Sequence, residues 1–352
     1  MPGRIPVLRP AAFAVPGDLS ALTGGTIYDA RLIAGLRAGG REIRHLTLPA
    51  GFPDPDPATE AAAVAALTAV PANLPLIVDG LAFGALPTAA LAKVRAPLVA
   101  LVHHPLALET GIDPDRAARM AAREAANLAL AAHVLVPSPH TAAVLARDYG
   151  IGSGRITVAV PGVDRPAGPP APVTPPLILS VGLLARRKGH DTLLAALAAV
   201  TDLRWQAVIV GRDHEPGMAA TLRALCGRLE LADRVALPGE VSAEALAQLY
   251  RQASLFALAT RHEGYGMAFA EALAHGLPIV AGRAGAVPDT VPSSAGILVP
   301  PEDAAGFAAA LRRVLTDAAL RARLSAGAVA AARRLPDWTA TAARVGTVLD
   351  AL

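Results

Sequence analysis

The sequence predicts an α/β protein built as two doubly wound domains, each a parallel sheet covered by helices on both faces. Three observations carry this. The chain of 352 residues is too long for one ordinary hydrophobic core and comfortable for two. Short apolar, β-branched runs alternate with Ala/Leu-rich helical stretches, and parallel strands need such crossovers. Over residues 161–176 the chain is so rich in proline that it can join neither a central strand nor a helix interior. The alternation then begins again.

Taken in order, strands are expected near the start (residues 4–8) and at Glu42–Leu48, Leu76–Asp79, Pro97–His103, His133–Pro137 and Ile156–Val160. Helices are expected between them at Thr26–Ala38, Ala58–Ala69, Asp115–Ala131 and His140–Tyr149. After the proline-rich run come strands Leu177–Val181, Trp205–Val210, Arg234–Leu237, Leu255–Leu258, Pro278–Ala281 and Gly296–Val299. The intervening helices are Gly189–Val200, Gly217–Leu229, Ala243–Gln252 and Met267–His275, and the last fifty residues read as helices only. The expected division is 1–164, a linker at 165–176, a second domain at 177–334 and a helical tail at 335–352.

Composition removes several classes. Aromatic residues make up 3% of the chain, too few for stacking on nucleic-acid bases. The net charge is +3 with arginine spread along the length, so no basic stripe marks a nucleic-acid partner. The single cysteine, Cys226, excludes an internal disulfide and any cysteine-based metal site. The longest apolar stretch, Ala61–Val78, is broken by Pro71, Asn73 and Pro75 and reads as helix, turn and strand. The first ten residues read as the approach to a strand and not as a signal peptide. A cytoplasmic protein is expected, with peripheral contact at the inner membrane face allowed by the apolar N-terminal helices.

In open α/β sheets ligands bind outside the carboxyl ends of the strands, where helix N-termini offer free N–H groups. Four strand-to-helix turns stand out. Gly24-Gly25-Thr26 lets backbone amides approach a phosphate, although a tight turn alone would also explain it. His103-His104 end a strand before Pro105; a solvated or capping pair is the plain alternative, and no third metal ligand lies nearby in sequence. Residues 181–189 place Arg186, Arg187 and Lys188 at a helix start, as a diphosphate requires. Only two lysines occur, Lys93 and Lys188, so where arginine is the default a retained compact charge is informative. In the fourth turn, Glu263 is followed by Gly264-Tyr265-Gly266-Met267 and, eight residues on, by Glu271 within a helix. A carboxylate there suits vicinal hydroxyls of a ribose or sugar, and is costly against a sheet without such a partner.

Together these residues resemble the GT-B glycosyltransferases of family 4, over nearly the whole chain. The stretch Glu263–Glu271 is similar to the family's Glu-x7-Glu signature, with supporting similarity at 136–145, 160–164, 285–289 and 295–303. The resemblance implies two Rossmann-like domains facing each other across a cleft with a C-terminal helical tail. It also implies retaining transfer of a sugar from a nucleotide-diphosphate donor, UDP- or GDP-linked, with no metal and no cofactor. By matching position, Glu263 would hold hydroxyls of the donor sugar and Glu271 the ribose. Backbone at Gly264, Tyr265, Gly266 and Met267 would line the sugar and diphosphate. Lys188, aided by Arg187 or Arg186, would neutralise the leaving diphosphate, and Gly24 and Gly25 would close over it. His103 would lie at the transferred sugar. Tyr28, His104 and Glu109 are the acceptor-side candidates, for an acceptor that is a lipid, a glycan or a small molecule.

The sequence departs from the family at Leu183, where arginine is common, at Pro161, where asparagine is usual, and at Ala286, where a second glycine is usual. A nucleotide-sugar epimerase and a non-catalytic nucleotide-sugar-binding partner subunit are the alternatives. A dinucleotide-linked dehydrogenase is disfavoured because no Gly-x-Gly-x-x-Gly follows a strand.

Overall fold

The computed structural model describes residues 8–109 and 111–352. It divides into two compact units, one ending at Gly162 and recruiting Pro336–Leu352, the other running from Val163 to Leu335. The strand expected at residues 4–8 lies, but for Leu8, outside the described residues.

The first unit follows the order β1 (Ala11–Pro16), α1 (Gly24–Ala38), β2 (Ile43–Leu48), α2 (Pro57–Thr68), β3 (Leu76–Asp79), α3 (Gly80–Ala85), α4 (Thr88–Leu91), β4 (Leu98–Leu101), α5 (Pro114–Leu130), β5 (His133–Val136), α6 (Pro139–Asp148) and β6 (Ile156–Val158). Its six strands lie in the order β2-β1-β3-β4-β5-β6, and every pairing is parallel. Buried on both faces, β3 and β4 are short apolar runs without alternation. β1 was not anticipated, because Ala and Pro are poor strand formers. Tertiary position overrides that: Phe13, Ala12 and Ala14 are fully buried, and Ala12 N–H donates to the Pro75 carbonyl at 2.8 Å.

The second unit contains β7 (Leu177–Val181), α7 (His190–Ala198), β8 (Gln206–Val210), α8 (Met218–Arg228), β9 (Val235–Gly239), α9 (Ala243–Gln252), β10 (Ala253–Leu258), α10 (Met267–Ala274), β11 (Ile279–Gly282), α11 (Val287–Thr290), β12 (Gly296–Val299), α12 (Ala304–Thr316) and α13 (Ala318–Ala332). The sheet order is β12-β11-β10-β7-β8-β9, again parallel throughout. The winding reverses between β7 and β10, so a crevice opens at their carboxyl ends. In the first unit the same reversal falls between β1 and β3.

The proline-rich run is fastened to the second unit. Ala171 and Val173 donate to the carbonyls of Arg251 and Gln252 at 2.8 and 3.1 Å, and Arg251 Nε donates to the Pro169 carbonyl at 3.1 Å. The last helix, α14 (Trp338–Ala351), packs on α1. Val345 and Leu349 are fully buried, Thr341 donates to the Val160 carbonyl at 2.7 Å, and buried Arg41 grips Asp350 with two 2.9 Å bonds. No described helix is long and apolar enough to cross a membrane.

Candidate functional site

In the second unit the loops after β7 and β10 meet at the reversal point. Arg186–Lys188 form a single helical turn, and Gly189, at φ +64°, starts α7. A side chain at 189 would run into the Ala259 carbonyl, so only glycine lets the two loops touch. The loops are stitched by Arg261 N–H donating to the Arg187 carbonyl at 2.7 Å, while the Arg261 guanidinium grips Asp191 at 2.9 Å and Glu302 at 3.0 Å.

This brings Lys188 onto Glu263: Nζ lies 2.6 Å from Oε1, with the side chains only 12% and 5% exposed. The lysine stem lies against Gly182, where a Cβ would sit 3.3 Å from Cδ. The Thr260 hydroxyl is 3.1 Å from the same carboxylate oxygen. Burial pushes Glu263 towards the protonated form, but the Lys188 ammonium and Arg187 guanidinium outweigh it and hold the carboxyl below its ordinary range. Arg186 instead points out to Glu215 at 3.4 Å and is 74% exposed. Of the two arginines, Arg187 is therefore the one that charges the pair. The Leu183 carbonyl lies 3.3 Å from His190 Nε2. Burial and then Lys188 push that imidazole down to about 4, so it is neutral.

Gly264, Tyr265 and Gly266 lead directly into α10, whose first residue is Met267. The Tyr265 ring is buried and its hydroxyl has no partner, so this residue offers backbone and packing. One turn into α10, the Glu271 carboxylate accepts from the Tyr250 hydroxyl at 2.8 Å, and Tyr250 is stacked 4.8 Å from His275. Tyr250 and Thr260 were not anticipated; their signal was only adjacency to predicted elements. The backbone behind Glu263 is fixed from a third loop, where Ala286 N–H donates to its carbonyl at 2.9 Å and Gly285 leaves room for the approach. Ala286 itself is fully buried with its side chain accommodated, so the second glycine of the family pattern is not needed here.

The remaining candidates belong to the first unit. The helix expected from Thr26 begins two residues earlier, because Thr23 caps it and forms a reciprocal capping box with Thr26. Gly24 and Gly25 thus lie in the first turn of α1, where amide N–H groups have no helical acceptor. Gly25 faces the ring of His103, which a Cβ would meet at 3.2 Å. His103 Nε2 lies 3.1 Å from Asp29 Oδ1 and 3.4 Å from Asp79 Oδ2. Both carboxylates were missed, although an Asp ending a buried strand before glycine was a readable signal. The three donor atoms lie within 4.8 Å of one another, the only such His/carboxylate group among the described residues. The spacing is that of a ring N–H shared by two carboxylates, so the residues already satisfy one another as a charge cluster. His104 Nε2 pairs with Glu109 at 3.3 Å on the same turn, both partly exposed. Tyr28 corrects the acceptor-side expectation. It is 1% exposed, its hydroxyl donates to the Ala159 carbonyl at 2.8 Å, and its ring packs on Trp338, so it is core.

Two doubly wound parallel units, one with a buried ammonium–carboxylate pair beside a helix N-terminus, define a two-Rossmann-unit α/β protein with a charged turn at a strand-order reversal. The comparisons agree. Residues 165–330 match the model of Glycosyl transferases group 1 and residues 31–166 that of Glycosyltransferase Family 4. The chain belongs to the family 4 glycosyltransferases, of GT-B fold class.

Among curated proteins, the D-inositol 3-phosphate glycosyltransferase of Xylanimonas cellulosilytica is 34% identical over 256 residues, 67% of this chain and 61% of that protein. That of Streptomyces bingchenggensis is 31% identical over 283 residues, 72% of this chain and 61% of that one. The matched stretch spans about three-fifths of the length of these relatives. Among solved structures, sucrose-phosphate synthase from Thermosynechococcus elongatus superposes with TM-score 0.82 at 25% identity over 97% of this chain and 98% of that one. Anabaena HepE in complex with UDP and glucose superposes with TM-score 0.78 at 18% identity, over 98% of this chain and all (100%) of that one, a likeness of fold.

Proposed function

We propose that the protein is a retaining glycosyltransferase that moves a sugar from a nucleotide-diphosphate donor to a hydroxyl acceptor without a metal ion. The observation that carries this reading is the buried Lys188–Glu263 pair at the β7/β10 reversal, with Glu271 eight residues away on α10. In the reaction the bond from the sugar C1 to the diphosphate oxygen breaks and the bond to the acceptor oxygen forms on the same face. The acceptor proton passes to the departing phosphate, so no enzymatic nucleophile is required. The residues divide the remaining work. Lys188 and Arg187 stabilise charge developing on the diphosphate, the largest electrostatic task. Glu263 orients sugar hydroxyls, and Glu271, held by Tyr250, accepts from the ribose diol. His103 attends the sugar, and His104 and Glu109 are offered to the acceptor.

The UDP and glucose bound by Anabaena HepE support UDP-glucose as the first donor to try, and the likeness to D-inositol 3-phosphate glycosyltransferases supports a phosphorylated polyol as the first acceptor. The test is calorimetry with UDP-, GDP-, ADP- and dTDP-sugars, each with and without EDTA. Tight binding of one nucleotide sugar that EDTA does not change is expected. Binding of none overturns the reading, and binding lost on chelation overturns its metal-free part.

A further inference from the structure

We propose that Asp29 and Asp79 are positioning residues that hold His103 as a fixed imidazolium, leaving its Nδ1–H as a cationic donor for substrate oxygen atoms. The inference deepens the transferase reading and rests on it, since that reading brings sugar to His103.

Geometry carries the argument. Asp29 and Asp79 are 1% and 3% exposed, one within α1 and the other at the end of β3. Asp79 commits Oδ1 to the Leu81 N–H at 2.9 Å, which fixes Oδ2 towards the imidazole. Asp29 gives Oδ1 to the ring, and its Oδ2 is buried with no partner. Nε2 is thereby used twice, and Nδ1 makes no hydrogen bond among the described residues. The Tyr28 ring meets the imidazole edge-on at 5.2 Å and Gly25 lies close over it, so the ring is packed on two sides. The titratable groups packed on it are Asp29 and Tyr28 from α1 and Asp79 from β3, and the Tyr28 hydroxyl is spent on the Ala159 carbonyl.

Two buried carboxylates on one imidazole are a poor way to stabilise a fold, because desolvation of the charges offsets their attraction. Charge on the ring is what the arrangement secures. Burial alone would lower the His103 value, but Asp29 and Asp79 lift it to about 10, while burial, eased by the imidazolium, lifts Asp29 to about 7. At neutral pH the ring is therefore a cation.

The test is ring nitrogen NMR of the full chain between pH 5 and 10, which needs no substrate. The wild-type His103 ring is expected to stay doubly protonated to at least pH 9. Asp29→Asn is expected to bring its titration down by two pH units or more. With the best donor and acceptor from the screen above, Asp29→Asn should lower kcat at least tenfold at pH 8, and less at pH 6, with the donor KM within twofold. Asp29→Glu should restore part of the loss. A wild-type His103 that titrates near its ordinary value overturns the proposal even if the Asn variant fails to fold. So does a folded variant with an unshifted pH profile. Loss of the His103 resonances on titration with micromolar Zn2+, with Asp29 required, would make the cluster a metal site and also overturn it. Imidazolium behaviour as expected in a chain that binds no nucleotide sugar would sink the transferase reading and not the charge state, so the two failures are separable.

Discussion

Removing the Lys188 ammonium should invert the pH dependence of stability that Glu263 contributes. In the wild type the Glu263 carboxyl sits below its ordinary 4.5, so its pairing stabilises the fold above pH 4.5 and is lost as pH falls through the depressed value. Burial is the largest influence on Glu263 and acts the other way. With Lys188→Met the stem still packs against Gly182, but the main attraction is gone, and burial lifts the carboxyl above 4.5. The stabilising form is then the protonated one, present below pH 4.5 and lost as pH rises. Breaking a buried pair costs about 3–5 kcal/mol, which for a unit of this size is roughly 6–20 °C in Tm. That loss should be seen at pH 7.5 and should shrink by more than half at pH 5. Glu263→Gln combined with Lys188→Met should recover part of it, because no lone charge is left. Urea unfolding of the three variants and wild type at both pH values measures this. A Lys188→Met loss independent of pH, or a double variant no better than the sum of its singles, would refute the coupling.

Four further outcomes follow from the same geometry. Glu271→Gln should weaken binding of the cognate nucleotide by about 1.5–3 kcal/mol, roughly 10- to 150-fold by calorimetry, with Tyr250→Phe costing about 1 kcal/mol. Glu263→Gln should leave affinity for the bare nucleoside diphosphate equal or higher, since Lys188 is released, while turnover collapses; equal turnover in a kinetic assay would remove Glu263 from the site. Burial pushes Glu124 up to about 7, so its ionisation weakens the fold as pH rises from 4.5 through 7. Glu124→Gln should therefore gain on wild type by the order of 3 kcal/mol between pH 4.5 and 8 in urea unfolding. Ending the chain at Leu335 strips α14 from α1, removing the buried side chains of Val345 and Leu349, worth roughly 1.5–3 kcal/mol each, and should unfold the first unit selectively by hydrogen exchange.

Much of the fold was legible because fully buried parallel strands are short branched runs bounded by glycine, proline or charge. Leu177–Val181, Gly296–Val299 and the helix Ala243–Gln252 fall where the pattern puts them. What escaped was set by packing. α3 contains two glycines in six residues and has no intrinsic reason to be helical. Asp79 caps it, and a Cβ at Gly84 would sit 2.8 Å from Leu106 and 3.1 Å from Glu124, so the glycine records a neighbour distant in sequence. β1 was hidden for the same reason: its alanines are chosen by the strands on either side.

The candidate clusters of the two units differ in legibility for a related cause. Glu263 to Glu271 form one contiguous turn and helix start, so spacing alone reveals them. The His103 cluster is assembled from three segments by sheet register, Asp79 pairing with Leu101 two residues before His103, and α1 laying Asp29 across the top. No local pattern announces it. Yet both units solve the same problem at the same topological place, a desolvated cation pressed on carboxylate at the carboxyl ends of the strands. The partners differ: Glu263 lies against Lys188, and both Asp29 and Asp79 lie against His103. Glu263 stands beside the helix start where the proposed diphosphate arrives, so a ligand anion can take its place against Lys188. Asp29 and Asp79 are anchored on separate elements, so the proposed imidazolium keeps its partners as substrate comes and goes. In the proposed reaction that is the division of labour required: one cation that meets a diphosphate as it departs, and one that is held in place by its own carboxylates.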